Sequence, residues 1–298
     1  MAKVEQVPVP GRSVSVVVPA WHAMSTLPMV LDRLAQESAA GVEVIVVESS
    51  ADSTAEILRQ RWPWARVLAL AERTLPGRAR NLGVAAASGE VLVFLDADAV
   101  PAPGWLAALL LALESSRVGA VAGAVDNGTP RNAVGTACWL LEFSEFLPGR
   151  RGSTSHGASC NLAVARRALD RVGGFPELLF PGEDTILTVR LASGGHLPFA
   201  GAAVVYHHNR TGLWEFLRHQ YRLGGSFAEI CRTVPMAHSN FGRPPLAPLS
   251  WLLRLAALAR RLAGRPREAV IAIGLSPLLV AGLFAWTAGL MTGARSHR

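Results

Sequence analysis

Apolar and polar positions change their rhythm along this chain, and the change divides it. In the first 125 residues, short valine-rich runs alternate with longer mixed segments. The runs are "SVSVVVPA" (13–20), "VEVIVVESS" (42–50), "ARVLAL" (65–70), "EVLVFLDAD" (90–98) and "GAVAGAV" (119–125). Runs of this length predict strands covered on both faces of a mostly parallel sheet. The segments between them, roughly 25–39, 52–61, 77–87 and 103–115, read as helices, the last opened by Pro103. Such alternation predicts a layered α/β domain.

Near the C-terminus the pattern changes. Residues 269–294 carry no charge and exceed the roughly 20 apolar residues that cross a bilayer core. A buried core helix is the alternative, but the length and lack of charge favour a membrane span, with Ser276-Pro277 as a kink. Just before it, "PLSWLLRLAALARRLAGRPRE" sets Leu, Trp and Ala among Arg254, Arg260, Arg261, Arg265 and Arg267. This composition suits a helix lying in the membrane interface, its arginines towards anionic lipid headgroups.

Charge supports that division. The net charge is +7, and residues 241–298 hold all of the excess: eight arginines against one acid, Glu268. The rest of the chain is balanced, which speaks for a membrane address and against nucleic acid as partner. Five arginines precede the uncharged run, and Arg295 and Arg298 follow it, so the positive-inside rule places residues 1–268 in the cytoplasm. Three scattered cysteines, Cys138, Cys160 and Cys231, show no CxxC spacing. They fit a reducing compartment and argue against a disulfide framework or zinc site. The first 20 residues lack the apolar stretch and cleavage site of a signal peptide.

The candidate chemistry sits where strands end, since open parallel sheets bind ligands beyond the carboxyl ends of their strands. The first strand ends at Pro19-Ala20-Trp21, the second at Glu48-Ser49-Ser50, the fourth at Asp96-Ala97-Asp98. If the strand stays extended, Asp96 and Asp98 point the same way and repel unless a cation lies between them. Mg²⁺ or Mn²⁺ fits an oxygen-ligand site of this kind and can bridge to a diphosphate. An aspartate capping the next helix is the competing explanation.

Several separated stretches carry a resemblance. "VSVVVPAWHAMSTLPMVLDRL" is similar to a strand and helix that begin "VSVVIPVYNE", and "VEVIVVESSADST" to "EIIVVDDGSTDGT". "PGRARNLGVAAASGEVLVFLDADAVPAPGWL" resembles a central "ARNxG…GEYIxFLDADD" block. "GASCNLAVARRALDRVGGFPE" and "FPGEDTILTVRL" follow in order. Together, over roughly residues 13–232, they resemble the inverting family 2 glycosyltransferases.

The resemblance implies a GT-A fold, a Rossmann-like nucleotide-diphospho-sugar transferase domain, over residues 1–235. A basic amphipathic segment would follow at 236–268 and a transmembrane helix at 269–294. Pro19, Ala20 and Trp21 would line the nucleobase pocket, and Glu48 would hydrogen-bond the base or ribose. Arg80, with Arg78 beside it, would face the nucleotide phosphates. Asp96 would contact the ribose and Asp98 the metal, with His207, or His208 next to it, as a further ligand or phosphate contact. Asp184 would be the catalytic base and Glu183 would position the acceptor, although acids in a first helical turn are also favoured by the helix dipole alone.

The second-strand motif is one residue short and Ala23 replaces the usual acid of "VYNE", departures that touch the nucleotide pocket. "EFLRHQYRLGGS" lacks the tryptophan of the QxxRW motif, which argues against processive synthesis. The expected protein is a metal-dependent inverting glycosyltransferase at the cytoplasmic membrane face. It would take a nucleotide-diphosphate sugar donor and a glycan or lipid-linked acceptor, with anionic lipids as partners. The alternative is a catalytically silent nucleotide-sugar-binding membrane protein or scaffold on the same fold.

Overall fold

The computed structural model describes residues 12–37, 41–193, 195–234 and 247–293. The expected helix end at 38–39, the start of the basic segment at 236–246, and Arg295 and Arg298 lie outside these residues. The chain runs β1 (Val14–Ala20), α1 (Leu27–Glu37), β2 (Glu43–Glu48), α2 (Thr54–Arg61), β3 (Arg66–Ala69), α3 (Pro76–Ala86) and β4 (Val91–Leu95). It continues through β5 (Ala99–Pro101), α4 (Trp105–Glu114), β6 (Ala120–Asn127), α5 (Ala133–Phe143), β7 (Ser153–Thr154), β8 (Asn161–Ala165) and α6 (Arg166–Val172). Then come α7 (Glu183–Leu191), β9 (Leu197–His207), α8 (Leu213–Thr233), α9 (Ser250–Leu262), α10 (Pro266–Gly274) and α11 (Ser276–Gly293).

The sheet order is β3-β2-β1-β4-β8-β6-β9-β5, with β7 beside β9. The first four strands pair in parallel, as the valine-rich runs predict. The other half is mixed: β8 runs antiparallel between β4 and β6, and β5 lies antiparallel to β9. That mixture departs from the mostly parallel sheet expected. Every residue of β4 and β8 is buried, which is why neither strand shows an alternating pattern in sequence.

One buried side chain ties β8 to β6, β9 and α4 within the mixed half. Asn161, fully buried on β8, accepts a hydrogen bond from Trp105 Nε1 at 2.8 Å. Its Nδ2 donates to the carbonyls of Ala124 and Ala203, each at 2.8 Å. The β6–β9 register shifts between Gly123 and Ala124, and the amide serves two carbonyls beside that irregularity. Gly123 is glycine because a Cβ there would lie 2.2 Å from Asn161 Nδ2.

The uncharged run 269–294 is not one helix. α10 ends at Gly274 and α11 starts at Ser276, because Pro277 has no N–H to continue the ladder and its ring crowds the preceding turn. Ser276–Gly293 remains long and apolar enough to cross a membrane by length and composition. One face of it lies on α8 at backbone contact: a Cβ on Gly224 would sit 1.8 Å from the Trp286 carbonyl, and one on Gly289 1.8 Å from the Tyr221 carbonyl.

The arginines ahead of it also depart from expectation. Arg254 Nη2 donates to the Leu141 carbonyl at 3.2 Å, Arg265 Nη2 to the Pro148 carbonyl at 2.9 Å, and Arg261 pairs with Glu145. Three of the five therefore turn back onto the domain, drawn by a last-turn carbonyl of α5, the Pro148 carbonyl beyond it and the acid between them. Arg260 and Arg267 stay exposed.

Candidate active site

The carboxyl ends of β1 and β4, the start of α7 and the end of β9 open onto a cavity of about 860 Å³, closed on its far side by α8, α9 and α11. Pro19, Ala20 and Trp21 line one end of it. Trp21 is 44% exposed, with the Arg73 guanidinium 3.8 Å over its ring. Its indole is the stacking surface available at that end.

Asp96 and Asp98 both line the cavity, but not as neighbours on one strand face. β4 ends at Leu95, and residues 97–98 form a turn before β5. Each acid therefore finds its own partner. Asp96 accepts from Arg80 Nη2 at 2.6 Å, and Asp98 Oδ1 lies 3.4 Å from His207 Nε2.

Arg80 is the largest departure from the sequence reading. Its side chain is 3% exposed, and its fork spans two acids: Nη2 meets Asp96, and Nη1 donates to Glu183 Oε1 at 2.7 Å. Carboxylates thus meet both terminal nitrogens, and Arg80 still lines the cavity. Burial alone would lower the guanidinium pKa, yet Asp96 and Glu183 together hold it raised and charged. Burial pushes the Glu183 carboxyl up to about 7, against the pull of Arg80 and with Asp184 adding to the rise. The bridge exists because α3 lies close on the sheet, where a Cβ on Gly83 would stand 2.4 Å from Val17 Cγ1.

Asp184, by contrast, is only partly buried and lines the cavity. The Ser159 N–H donates to its Oδ2 at 3.2 Å, and the Thr185 N–H to its Oδ1 at 2.7 Å. Both oxygens are oriented by backbone donors while the group keeps access to the cavity. The two adjacent acids are thereby separated: Glu183 is tied to Arg80, and Asp184 faces open space.

Two further predicted residues are not brought into the cavity. Glu48 is buried, and its Oε1 accepts from the Ser50 N–H at 2.9 Å and from the Ser50 hydroxyl. It closes the shortened turn after β2 and is not among the groups facing the cavity. Arg78 is exposed on α3, because the helical rotation that brings Arg80 inward turns Arg78 outward.

Of the adjacent histidines, His207 faces the acids. Its Nδ1 lies 3.0 Å from Asn209 Oδ1, while Asn209 Nδ2 donates to the His207 carbonyl. That arrangement fixes the ring through Nδ1 and turns Nε2 towards Asp98. His208 instead holds the loop, its N–H donating to the Asp98 carbonyl at 2.8 Å. Burial lowers the His208 imidazole pKa, against the charge of Asp98.

Sequence reasoning passed over Cys160. One atom each of Asp96, Cys160 and His207 lie within 4.8 Å of one another. Burial pushes the thiol well up, and the charges of Asp96, Asp98 and Asp184 add to it. A thiol held protonated is a poor ligand, which leaves the Asp96 carboxylate and the His207 imidazole of that trio, with the Asp98 carboxylate beside His207. These fit Mn²⁺ or Mg²⁺ chemistry: octahedral ligands at about 2.1 Å stand about 3 Å apart, close to the Asp98–His207 spacing. The position of Cys160 inside "GASCN" was visible, but nothing local in the sequence placed it beneath the acids.

Comparison with known proteins agrees with this fold. The family model for glycosyl transferase family 2 matches residues 15–173. Glycosyltransferase AglE of Haloferax volcanii is 29% identical over 220 residues, 71% of this chain and 71% of that protein. The pre-mycofactocin glycosyltransferase of Mycobacterium tuberculosis is 29% identical over 260 residues, 81% of this chain but 52% of that protein. The chain thus spans about half the length of the mycobacterial relative. Among solved structures, the mannosyltransferase PcManGT of Pyrobaculum calidifontis, with GDP-Man and Mn²⁺, superposes with a TM-score of 0.61 at 24% identity. The match covers 94% of this chain and 87% of that one. S. aureus TarS with UDP-GlcNAc gives 0.54 at 15% identity, covering 96% and 92%. The chain belongs to glycosyl transferase family 2 and has the GT-A fold of a glycosyltransferase.

Proposed function

We propose that this family 2 glycosyltransferase moves one sugar from a nucleoside diphosphate donor to an acceptor hydroxyl, by direct displacement with inversion. Trp21 stacks on the base beside Pro19 and Ala20. Asp98 and His207, with Asp96 near them, would hold Mg²⁺ or Mn²⁺, which when bound would offset charge on the departing diphosphate. PcManGT, solved with Mn²⁺ and GDP-Man, supports a donor of this class. Arg80 keeps Asp96 and Glu183 in place, so that Glu183 positions the start of α7 and hence the acceptor side of the cavity. Asp184 takes the proton from the acceptor oxygen as that oxygen attacks the anomeric carbon.

The observation that carries this reading is the division of labour between adjacent acids. Glu183 is locked onto Arg80, and Asp184 alone of the two stands partly exposed at the cavity wall. A base needs a carboxylate that is oriented but not already engaged by a cation.

The apolar exposure of Leu252, Leu253, Val270, Ile273 and Phe284 on α9, α10 and α11 supports attachment to a membrane. The exposed Arg260 and Arg267, with the arginine-rich flank, support a cytoplasmic orientation and a lipid-linked acceptor. The chemistry is tested with labelled nucleotide sugars and Mn²⁺. Asp184→Asn is expected to lower turnover about 10²- to 10⁴-fold with donor affinity unchanged. Full activity in that variant removes Asp184 as base.

A further inference from the structure

The far end of the cavity differs in kind from the donor end. Leu223, Phe227, Leu283 and Trp286 give it apolar walls, and Arg254, Arg260 and Arg261 border it. Arg254 lies with its guanidinium 4.3 Å from the centre of the Trp286 ring. Its Nη2 donates to the Leu141 carbonyl, but Nη1 is buried and meets no acceptor among the described residues. The nearby carboxylates are already engaged: Glu145 by Arg261, and Glu142 by His219 and Gln220. Residues 235–246 contain no Asp or Glu. A buried guanidinium facing a second arginine with no carboxylate of its own is held at a cost in free energy. Burial lowers its pKa to about 10, and the charge of Arg261 adds to the fall, only partly opposed by Glu142.

This end is continuous with the candidate base. Glu215, His219, Leu223, Phe227 and Ile230 all line the cavity from α8, and their spacing places them along one helix face. At one end of that face, Ile230 packs so closely on Gly182, beside Glu183 and Asp184, that a Cβ there would lie 2.4 Å from its Cδ1. One turn away, Phe227 packs on Trp286, ring centres 5.3 Å apart, and Arg254 lies on that indole. A molecule lying along α8 reaches from Asp184 to the arginines.

We propose that this end is an acceptor subsite for an anionic amphiphile, in which Arg254, with Arg261 and Arg260, holds a phosphate-type group while the walls of α8 and α11 take an adjoining apolar body. The inference rests on the glycosyl-transfer reading above and names the class of acceptor for it. A guanidinium fork suits a phosphate oxygen pair, and the mixture of apolar walls and unpaired positive charge disfavours a neutral, fully polar glycan at this end.

The test uses the full chain in neutral detergent with farnesyl phosphate, farnesol and inorganic phosphate as probes. Each is titrated by calorimetry with Mn²⁺ and GDP or UDP already saturating the donor end. Farnesyl phosphate is expected to bind about tenfold or more tighter than farnesol or inorganic phosphate. Arg254→Gln is expected to remove that advantage, and Arg260→Gln, at an exposed position, to weaken it a few-fold. Nucleotide affinity is expected to stay unchanged in both, which also shows that they fold; should Arg254→Gln fail to fold, Arg260→Gln carries the test. Equal binding of farnesol or inorganic phosphate overturns the subsite, as does farnesyl phosphate binding that survives in Arg254→Gln. A matching fall in nucleotide affinity would assign the arginines to the donor and overturn it as well. Nucleotide binding is read separately, so failure of the donor reading is visible apart from failure of this one.

Discussion

Arg80 on α3 and Glu183 at the head of α7 stand 103 positions apart in sequence, and their side chains meet at 2.7 Å with almost no solvent between them. The same guanidinium reaches Asp96, so one arginine joins the end of β4 to the start of the helix that carries Asp184. Replacing it by glutamine leaves Glu183 buried without a counter-charge. Arg80→Gln is expected to destabilise by about 3–5 kcal/mol in urea unfolding, and to depress turnover beyond the loss of folded protein. Unchanged stability would mean that the bridge is not formed in solution.

The orientation of His207 depends on Asn209, which touches no substrate in the proposed arrangement. Asp98→Ala is expected to abolish Mn²⁺-dependent nucleotide binding. Asn209→Leu frees the imidazole to rotate, and the expected fall in Mn²⁺ affinity is about 10- to 100-fold. Calorimetry with Mn²⁺ and nucleotide reads both, and an Asn209→Leu protein that binds as the parent does removes Asn209 from this role.

Asn161 answers three buried polar groups at once. Asn161→Leu leaves Trp105 Nε1 and the Ala124 and Ala203 carbonyls without that partner. Each such loss costs about 1–3 kcal/mol, so the variant is expected to be among the most destabilised in the sheet. A thermal midpoint within a degree or two of the parent would contradict this.

Glu142 gives the acid side of the stability profile. Burial would raise its carboxyl, but His219 and Arg210 hold it at about 2, below its ordinary 4.5. A depressed carboxylate contributes stability that is present above the unfolded value and lost as pH falls through the folded one. The urea midpoint is therefore expected to drop between about pH 4.5 and pH 2. Glu142→Gln is expected to remove that part of the slope while lowering stability at neutral pH, and an unaltered slope would exclude Glu142 as its source.

The seam between α8 and α11 is a backbone contact. Gly289→Ala puts a methyl group against the Tyr221 carbonyl, and overpacking of this kind costs about 1–3 kcal/mol. Gly274→Ala, with nothing within 4 Å of the added carbon, is the control and is expected to be neutral or slightly stabilising. Equal thermal midpoints for the two variants in detergent would mean that α11 does not rest on α8.

The sequence by itself determined the parallel half of the sheet, because strands covered on both faces leave unbroken valine-rich runs. It also marked the strand ends and helix start that bear Pro19, Trp21, Asp96, Asp98 and Asp184, since those motifs are contiguous. What it did not carry was any relation between distant side chains. The pairing of Arg80 with two acids, the plug formed by Asn161, the place of Cys160 beneath the acids and the inward turn of Arg254 each join segments far apart in the chain. Local patterning reports whether a residue prefers water or the interior. Only the packed tertiary structure decides which buried charge meets which partner: here it sets Arg80 between two carboxylates and turns Arg254, Arg261 and Arg265 onto backbone carbonyls and Glu145, because packing alone brings these distant segments together.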